Sequence, residues 1–200
     1  DQQGRENQTI FIQFMIRCSW SLNGRITVVV VTDKDGKEKI VASTMWRPPI
    51  EPRQPKSGSI LSTFRMGLLS VLWCWGVGCM GRISELVQSS TSVLEEGYKE
   101  QGLPRTPDDA WYLQLASTDP AYQMKGYLTM LLKEAYDHAQ AGSVFTLEAT
   151  TPASCDVYQH FGFEAVKEVI VAKGKVNAAG VIAKEGEDAT GFPIYPMIKK

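Results

Sequence analysis

The sequence predicts a mixed α/β fold, and three features carry that prediction. At 200 residues and 44% hydrophobic content, the chain has enough apolar side chains for the core of one domain, which we expect to span residues 1–200. The β-branched run Arg25–Thr32 is typical of a strand covered on both faces, and the Asp-Gly turn after it predicts a hairpin with Ile40–Trp46. Trp111–Ser117 alternates apolar and polar side chains and Met124–Ala139 has helical periodicity, so this stretch predicts a strand, a loop and a helix.

Periodicity and turn residues predict the remaining elements. Helices are expected at Gln8–Ser21, Ile60–Trp75, Ile83–Lys99 and Ala153–Phe161, and strands at Val144–Ala149, Glu164–Ala172 and Phe192–Ile198. Two prolines place the last of these strands at a sheet edge, because proline cannot donate to the hydrogen-bond ladder. The proline-rich stretch from Pro48 to Gly58 predicts a rigid connection, and the glycine- and alanine-rich stretch Lys173–Thr190 predicts a mobile loop.

Charge and cysteine usage exclude several classes of partner. The net charge of −1, from 21 basic and 22 acidic residues, supplies no field for nucleic acid or for a membrane, so neither is expected as a partner. The four cysteines and two histidines match no zinc spacing, so no metal is expected. The start Asp1–Gln8 is polar and lacks the basic, then apolar, then small-residue order of a signal peptide, which favours a cytoplasmic protein. The protein is expected to be a monomer or a homodimer.

The longest apolar stretch is Met66–Met80. It is interrupted by glycines and is shorter than the ~20 residues that span a bilayer. Two interpretations remain, a helix buried in a groove and an interfacial membrane anchor. Arg65 and Arg82 flank the stretch without forming a basic face, so we expect the buried helix.

The run Gln123–Leu128 predicts an anion site, because it opens a helix directly after the loop that follows a strand. Backbone N–H groups at a helix start have no partner within the helix and carry partial positive charge. Gly126 has no side chain to obstruct a phosphate. A strand-to-helix junction with a glycine is common, so this feature alone has low specificity.

Specificity comes from the order of three short motifs. Asp119-Pro120-Ala121-Tyr122-Gln123 precedes the helix, and Leu147-Glu148-Ala149-Thr150 and Tyr158-Gln159-His160-Phe161-Gly162-Phe163 follow it. In these motifs the sequence resembles the GNAT acetyltransferases, and in particular their fungal-type branch, over residues 111–171. The resemblance implies a mixed, mostly antiparallel, splayed sheet flanked by helices. It also implies an acetyl-CoA cleft between two parallel strands, Trp111–Ser117 and Val144–Ala149.

The resemblance further implies which residues bind the cofactor. The pyrophosphate is expected on the amides of Gln123 to Leu128, and the pantetheine arm on the backbone of the first strand. The cofactor-binding set is Leu115, Ala116, Ser117, Gln123, Met124, Lys125, Gly126, Tyr127, Leu128, Ser154, Tyr158 and Phe161. The sequence departs from the family pattern at Met124 and Leu128, where small residues are usual, and at Ser154, where asparagine is common. The family's first strand and helix have no counterpart at the start of this sequence.

Acetyl transfer to an amine requires a base for the amine and an acid for the departing thiolate. Tyr158 matches the family's general-acid tyrosine, and the alternative is a core aromatic. Glu148 is the candidate base, and a surface glutamate is the alternative, while Gln114 is a candidate for orienting substrate. His138 and His160 are expected to be surface or packed histidines. Nothing in the sequence near Cys155 lowers a thiol pKa, which favours direct transfer.

The acceptor is less well defined by the sequence. Aromatic residues could line its pocket or pack in the core; they are Trp46, Trp73, Trp75, Trp111 and Tyr112. The near-neutral chain favours a small amine or xenobiotic over a basic histone tail. The alternative function is a catalytically impaired CoA-binding or regulatory module, motivated by the three departures from the family pattern.

Overall fold

A computed structural model of the chain describes residues 2–50 and 60–200, and side chains are described there except at 60–62. The elements in chain order are α1 (Gln2–Ser21), β1 (Arg25–Thr32), β2 (Glu38–Arg47), α2 (Ile60–Arg65), α3 (Leu68–Trp75), α4 (Gly78–Glu100), β3 (Trp111–Thr118), α5 (Tyr127–His138), β4 (Phe145–Ala149), α6 (Pro152–His160), β5 (Glu164–Ala165), β6 (Val169–Val171) and β7 (Phe192–Lys199). Short 3₁₀ turns at Pro107–Asp109 and Pro120–Tyr122 flank β3.

The chain divides into two compact units. The first unit comprises Asp1–Gly67 and Ala110–Ser143, and the second comprises Leu68–Asp109 and Val144–Lys200. The predicted mixed α/β fold with a mostly antiparallel sheet is confirmed, since the pairings described within each unit are antiparallel. The part of the predicted proline-rich connection from 51 to 59 lies outside the described residues.

The first unit contains the hairpin that the sequence predicts. β1 pairs with β2, and β2 pairs with β3. Trp46 is completely buried, and the guanidinium of Arg25 on β1 forms an ion pair with the carboxylate of Glu134 on α5. The prediction that β1 is covered on both faces is wrong, because Val28 and Val30 are each 46% exposed. A run of β-branched residues therefore fits a strand with one solvent-facing side just as well as it fits a strand covered on both faces.

In the second unit β7 is the central strand, so the prediction of an edge strand is wrong. It pairs with β4 along one side and with β5 and β6 along the other. The strand predicted at Glu164–Ala172 is interrupted, and the gap between β5 and β6 lies opposite Pro196. There the amide of Val166 donates to the carbonyl of Pro196 at 2.9 Å. A proline is tolerated in a central strand where it has to accept rather than donate.

The stretch predicted as a mobile loop is a series of hydrogen-bonded turns. Val176 is buried with Val171, Ala172 and Ile194, and it forms an isolated bridge with Ile182. The carboxylate of Glu85 on α4 also accepts from the amide of Ala172 and from Lys175, at 3.2 and 2.6 Å. The glycine and alanine composition of the stretch could not reveal these contacts, because Glu85 lies on a helix that is distant in the sequence.

Helix boundaries differ from the predictions where the backbone adopts a left-handed conformation. The helix predicted at Ile60–Trp75 is divided into α2 and α3 at Gly67, whose φ is +109°. The helix predicted to begin at Met124 begins at Tyr127, since Met124 and Gly126 both have positive φ. The helices α1 and α4 begin earlier than predicted, at Gln2 and Gly78.

The helix predicted to be buried in a groove is largely exposed. In α3 only Val71 is buried, whereas Leu69 is 62% and Trp73 92% exposed. The expectation for Met66–Met80 is therefore wrong, because an apolar composition does not establish that another element covers the segment.

The close approach of α4 to the sheet generates a stability prediction. A Cβ at Gly97 would lie 2.5 Å from a Val166 methyl and 3.0 Å from Ile198 Cδ1. We expect Gly97→Ala to lower the free energy of unfolding by about 1–3 kcal/mol through overpacking. The matched control is Gly81→Ala in the same helix, where the new Cβ meets nothing within 4 Å. That variant should gain about 0.5–1 kcal/mol from helix propensity. Equal denaturation midpoints for both variants would contradict the packing described here.

Candidate functional site

The loop after β3 is held by the side chain and backbone of Asp119. Its carboxylate accepts from the amide of Ala121 at 2.9 Å, and its own amide donates to the carbonyl of Val41 on β2 at 2.8 Å. A single 3₁₀ turn follows at Pro120–Tyr122, and Gln123 is extended. One hydrogen bond within the loop and one to the neighbouring strand β2 therefore fix the path by which the loop leaves β3.

The start of α5 presents backbone donors, as the sequence predicts for an anion site. Gly126 is the N-cap residue with φ +77°, and the first helical bond described runs from the amide of Met130 to the carbonyl of Gly126 at 3.0 Å. By helix geometry the amides of Tyr127 and Leu128 have no partner within α5. A Cβ built at Gly126 would meet nothing within 4 Å, so the space before the helix is open. These are the requirements of a phosphate site.

Met124 departs from the family pattern without filling the loop. Its φ is +61°, in the region that favours glycine, and its side chain is fully exposed. The backbone of Met124 is therefore strained, while the bulk of its side chain lies in solvent. A non-glycine residue in this conformation costs roughly 1–2 kcal/mol, a strain that is frequent in ligand-binding loops.

Two lysines add positive charge beside this loop. Lys125 Nζ lies 4.5 Å and Lys39 Nζ 5.1 Å from the centroid of the Tyr122 ring. Lys39 also binds the Asp119 carboxylate at 2.7 Å, a hydrogen bond that raises the pKa of Lys39 and lowers the pKa of Asp119. Sequence reasoning missed Lys39, because its place at the loop depends on the pairing of β2 with β3.

The residues predicted to hold a pantetheine arm lie on β3. Met45 of β2 pairs with Leu115, and Ala116 lies between Leu115 and Ser117. Leu115 and Ser117 are two residues apart, so their backbone groups point to the same edge of the strand. Gln114 has a buried side-chain oxygen with no hydrogen-bond partner among the described residues.

In the second unit Glu148 is the one residue of β4 that is not buried. The hydroxyl of Ser90 on α4 donates to its carboxylate, and Ser90 itself is 3% exposed. Glu148 is therefore oriented by a buried hydroxyl, unlike a free surface glutamate. Sequence reasoning missed Ser90, although the polar run Ser89–Ser92 in the middle of an amphipathic helix was a usable signal.

Ser154 is engaged in its own helix. Its amide donates to the Thr151 hydroxyl at 3.0 Å, and its hydroxyl accepts from the Thr151 amide at 3.1 Å. This is a capping box at the start of α6. A contact from the Ser154 hydroxyl to a cofactor would have to compete with these hydrogen bonds to Thr151.

Tyr158 lies on α6, half-buried, with its ring edge-on to Phe163 at a centroid distance of 5.9 Å. Burial raises the pKa of Tyr158, so the phenol holds its proton at neutral pH. Burial and Asp156 raise the pKa of Cys155 as well, which keeps that thiol protonated. Phe161 ends the helix beside these groups as its C-cap.

A second phenol in this unit was not anticipated from the sequence. Tyr195 on β7 lies opposite Ala149, the residue after Glu148. Its pKa is raised by burial and by a hydrogen bond to Glu168. The sequence did not predict that Tyr195 lies beside β4, because β7 was expected at a sheet edge.

The remaining candidates are distributed over the chain. His138 packs edge-on against Trp111, at a centroid distance of 5.7 Å, as expected for a packed histidine. Arg47 lies over the ring of Tyr112. Trp46 is buried in the core of the first unit, and Trp73 is exposed on the second. The described residues contain no cluster of side chains suited to a metal ion. Over the same residues, no helix is both long enough and apolar enough to cross a bilayer.

The chain is similar to known acetyltransferases in a family model and in its fold. Residues 81–177 match the family model "Acetyltransferase (GNAT) domain". This range includes Tyr158 and the predicted anion site Gln123–Leu128, which is called the phosphate loop from here on. A histone acetyltransferase HPA2 and related acetyltransferase from Corynebacterium glutamicum has 17% identity and a TM-score of 0.52, over 100% of this chain and 76% of that one. The polyamine N acetyltransferase of Drosophila melanogaster has 13% identity and a TM-score of 0.50, over 83% and 71%. A search of curated proteins finds no match.

The domain match over residues 81–177 indicates an acetyltransferase enzyme, and the similar solved structures support the fold. The matched model is that of a GNAT acetyltransferase domain, which is the family that the motifs of the sequence resemble. Enzymes of this family take the acetyl group from acetyl-CoA. The two strands predicted to flank that cofactor belong to different units, so the cleft between them stays a prediction.

Proposed function

We propose that this protein transfers the acetyl group of acetyl-CoA to a primary amine of a small molecule by direct attack in a ternary complex. The observation that carries the proposal is the start of α5, where an open space in front of Gly126 meets unpaired helix amides. A pyrophosphate requires several N–H donors and compensating positive charge, and the loop supplies the donors, with Lys125 nearby as a cation that Asp119 does not neutralise. The residues present therefore fit this cofactor.

The cofactor would be held mainly by main-chain groups. The amides from Gln123 to Leu128 would bind the pyrophosphate, and the backbone of Leu115, Ala116 and Ser117 would bind the pantetheine arm. Phe161 and the exposed part of Tyr158 would pack on the arm. Acetyl-CoA supplies an acetyl group activated as a thioester. Every other step depends on the side chains of this chain.

Proton transfer is assigned to two residues of the second unit. Glu148, held by Ser90, takes the proton of the attacking amine, directly or through water. Tyr158 donates its phenolic proton to the departing thiolate, and its raised pKa keeps that proton in place until the thiolate forms. Because the Cys155 thiol stays protonated, acetyl transfer to the amine needs no cysteine intermediate.

A small amine is the acceptor that the chain's charge favours. A net charge of −1 offers no strong attraction for the many positive charges of a histone tail. The polyamine N acetyltransferase of similar fold is described as forming N-acetylagmatine, which is consistent with a small-amine acceptor. We therefore propose a polyamine or related small amine as the first substrates to test.

The phosphate loop is tested by placing a negative charge where the pyrophosphate is proposed. Acetyl-CoA at a hundredfold excess over its Kd should stabilise the wild-type protein by ~2.7 kcal/mol. Gly126→Glu should abolish that thermal shift by charge repulsion and bulk. Gly142→Glu is the matched control, because Gly142 has a similar φ of +80° and equally open surroundings. Loss of the shift in both variants, or in neither, would remove the loop from the binding site.

Tyr158→Phe separates an enzyme from a CoA-binding module. The change keeps the ring against Phe163 and removes the proton, so we expect kcat to fall by roughly 10²-fold with the acetyl-CoA Kd unchanged. Wild-type kcat should decline only above about pH 10, since the raised phenol pKa preserves the acid through neutral pH. Tyr195→Phe should retain turnover. Full activity of the Tyr158 variant, with chemistry rate-limiting, would leave Tyr158 as a core aromatic.

Ser90→Ala tests whether the orientation of Glu148 matters for proton abstraction. Loss of a hydrogen bond to a charged group should lower kcat roughly tenfold and move the acidic limb of the pH–rate profile upward. Ser92→Ala, at an exposed position of the same helix, is the control and should behave as wild type. Ser90→Thr should restore activity. If Ser90→Ala reduces turnover equally in a Glu148→Gln background, Ser90 does not act through Glu148.

A further inference from the structure

The outer edge of β1 is open among the residues that the structure describes. There β1 pairs with β2 along one side, and no described strand pairs with it along the other. Backbone N–H and C=O groups along such an edge are able to pair with a further strand. The register shift in the hairpin places its extra residue, Val41, on β2. The edge strand β1 (Arg25–Thr32) is therefore continuous along its whole length.

This edge lacks the features that usually prevent two strands from pairing. The segment Ile26–Thr32 contains no charged residue, proline or glycine. Val28 and Val30 lie on one face of β1 and are each 46% exposed. Ile40, which pairs with Val30, is 60% exposed beside them. These three residues, Val28, Val30 and Ile40, are called the β1 strip. An apolar strip along an open strand edge indicates a surface on which another strand docks.

The alternation of side chains restricts how two copies of β1 pair. Facing residues of an antiparallel ladder point to the same face of the sheet, so a two-fold axis must pair residues an even number of positions apart. The register with Val29 on the axis meets this condition and pairs Ile26–Thr32 with the same segment of the second copy. Val28 then lies beside Val30 of the second copy, so the two β1 strips become continuous. Near the axis each residue meets its own copy, and no charged residue of this segment is there to repel itself.

The charges at the two ends of β1 complement each other in this register. Arg25 faces Asp33 of the second copy, and the two-fold axis repeats the contact at the other end. The Asp33 carboxylate is held beside the end of the strand by two amides of its turn, both at 2.9 Å. Arg25 also binds Glu134 of its own copy, and a guanidinium has enough donors for two carboxylates. The other register of equal length, centred one residue earlier, would set Arg25 opposite the apolar Val31 instead.

We propose that the open edge of β1 joins two copies of this chain by antiparallel pairing, with Val29 on the two-fold axis. Main-chain hydrogen bonds supply the attraction, the β1 strip excludes water from one face, and the two contacts between Arg25 and Asp33 fix the register. Because each copy uses the same surface, the contact closes at a dimer and does not continue into a fibre. The interface lies within the first unit and uses no residue assigned to cofactor binding or proton transfer.

Analytical ultracentrifugation of the full chain tests this dimer. The wild-type protein should be a dimer at about 100 μM and should dissociate on dilution. Val30→Lys should weaken dimerisation at least about tenfold, because it places a charge in the ladder beside the second copy. Ile170→Lys is the matched control, since Ile170 is 47% exposed on β6 in the other unit, and it should dimerise as the wild type does. Monomeric wild-type protein, or an equal loss of dimer in both variants, would overturn the proposal.

A second pair of variants tests the register without changing the ladder itself. Asp33→Asn keeps the acceptor oxygen of the turn and removes the charge, so it should weaken the dimer about three- to fivefold at low salt. Asp35→Asn removes an equal charge from the same turn, but position 35 lies opposite Asn23 in the proposed register, so this dimer should be unchanged. High salt should remove the difference between the two variants. A larger effect of Asp35→Asn, or no effect of Asp33→Asn, would overturn the proposed pairing.

Discussion

The phosphate loop depends on the left-handed backbone at Gly126. Its φ of +77° turns the chain from the extended Gln123 into the first turn of α5, so the helix starts with its amides facing open space. An L-residue with a side chain would resist this conformation, and a shifted start of α5 would move the amides that a phosphate needs. Met124 shows the same demand on the backbone, because it is left-handed without being glycine. The left-handed backbone at position 124 is thus adopted without the glycine that usually permits it.

Asp119 connects this backbone geometry to the charge of the site. The carboxylate fixes the turn by accepting from Ala121 and positions Lys39 by an ion pair. A carboxylate beside a phosphate site would ordinarily repel the ligand. Here its charge is balanced by Lys39, while Lys125, whose Nζ lies 4.5 Å from the Tyr122 ring centroid, has no acidic partner among the described ion pairs. The charge of Lys125 and the dipole of α5 both favour an anion at this helix start.

The sequence predicted local features well and their tertiary context poorly. The hairpin of β1 and β2, the loop that leads into α5 and the short helix α6 follow from turn chemistry and short-range order, and the structure contains each of these elements. The predicted edge position of β7 was wrong. A proline excludes a strand from the centre of a sheet only where a neighbouring strand would need the N–H that proline lacks. The exposure of Trp73 and the hydrogen bond from Ser90 were missed for a related reason. Both depend on which distant element covers a residue, and periodicity carries no information about that.

The two residues assigned to proton transfer sit in environments of different kinds within one unit. Tyr158 is packed against Phe163, and burial disfavours its charged form, so it is suited to hold a proton. Glu148 receives a hydrogen bond from Ser90, which favours the charged carboxylate and so suits a proton acceptor. Groups whose surroundings favour opposite protonation states can serve as acid and base at one pH. Burial and Asp156 raise the pKa of Cys155 in the same unit, so that thiol is not activated for attack, which is consistent with the proposed direct transfer.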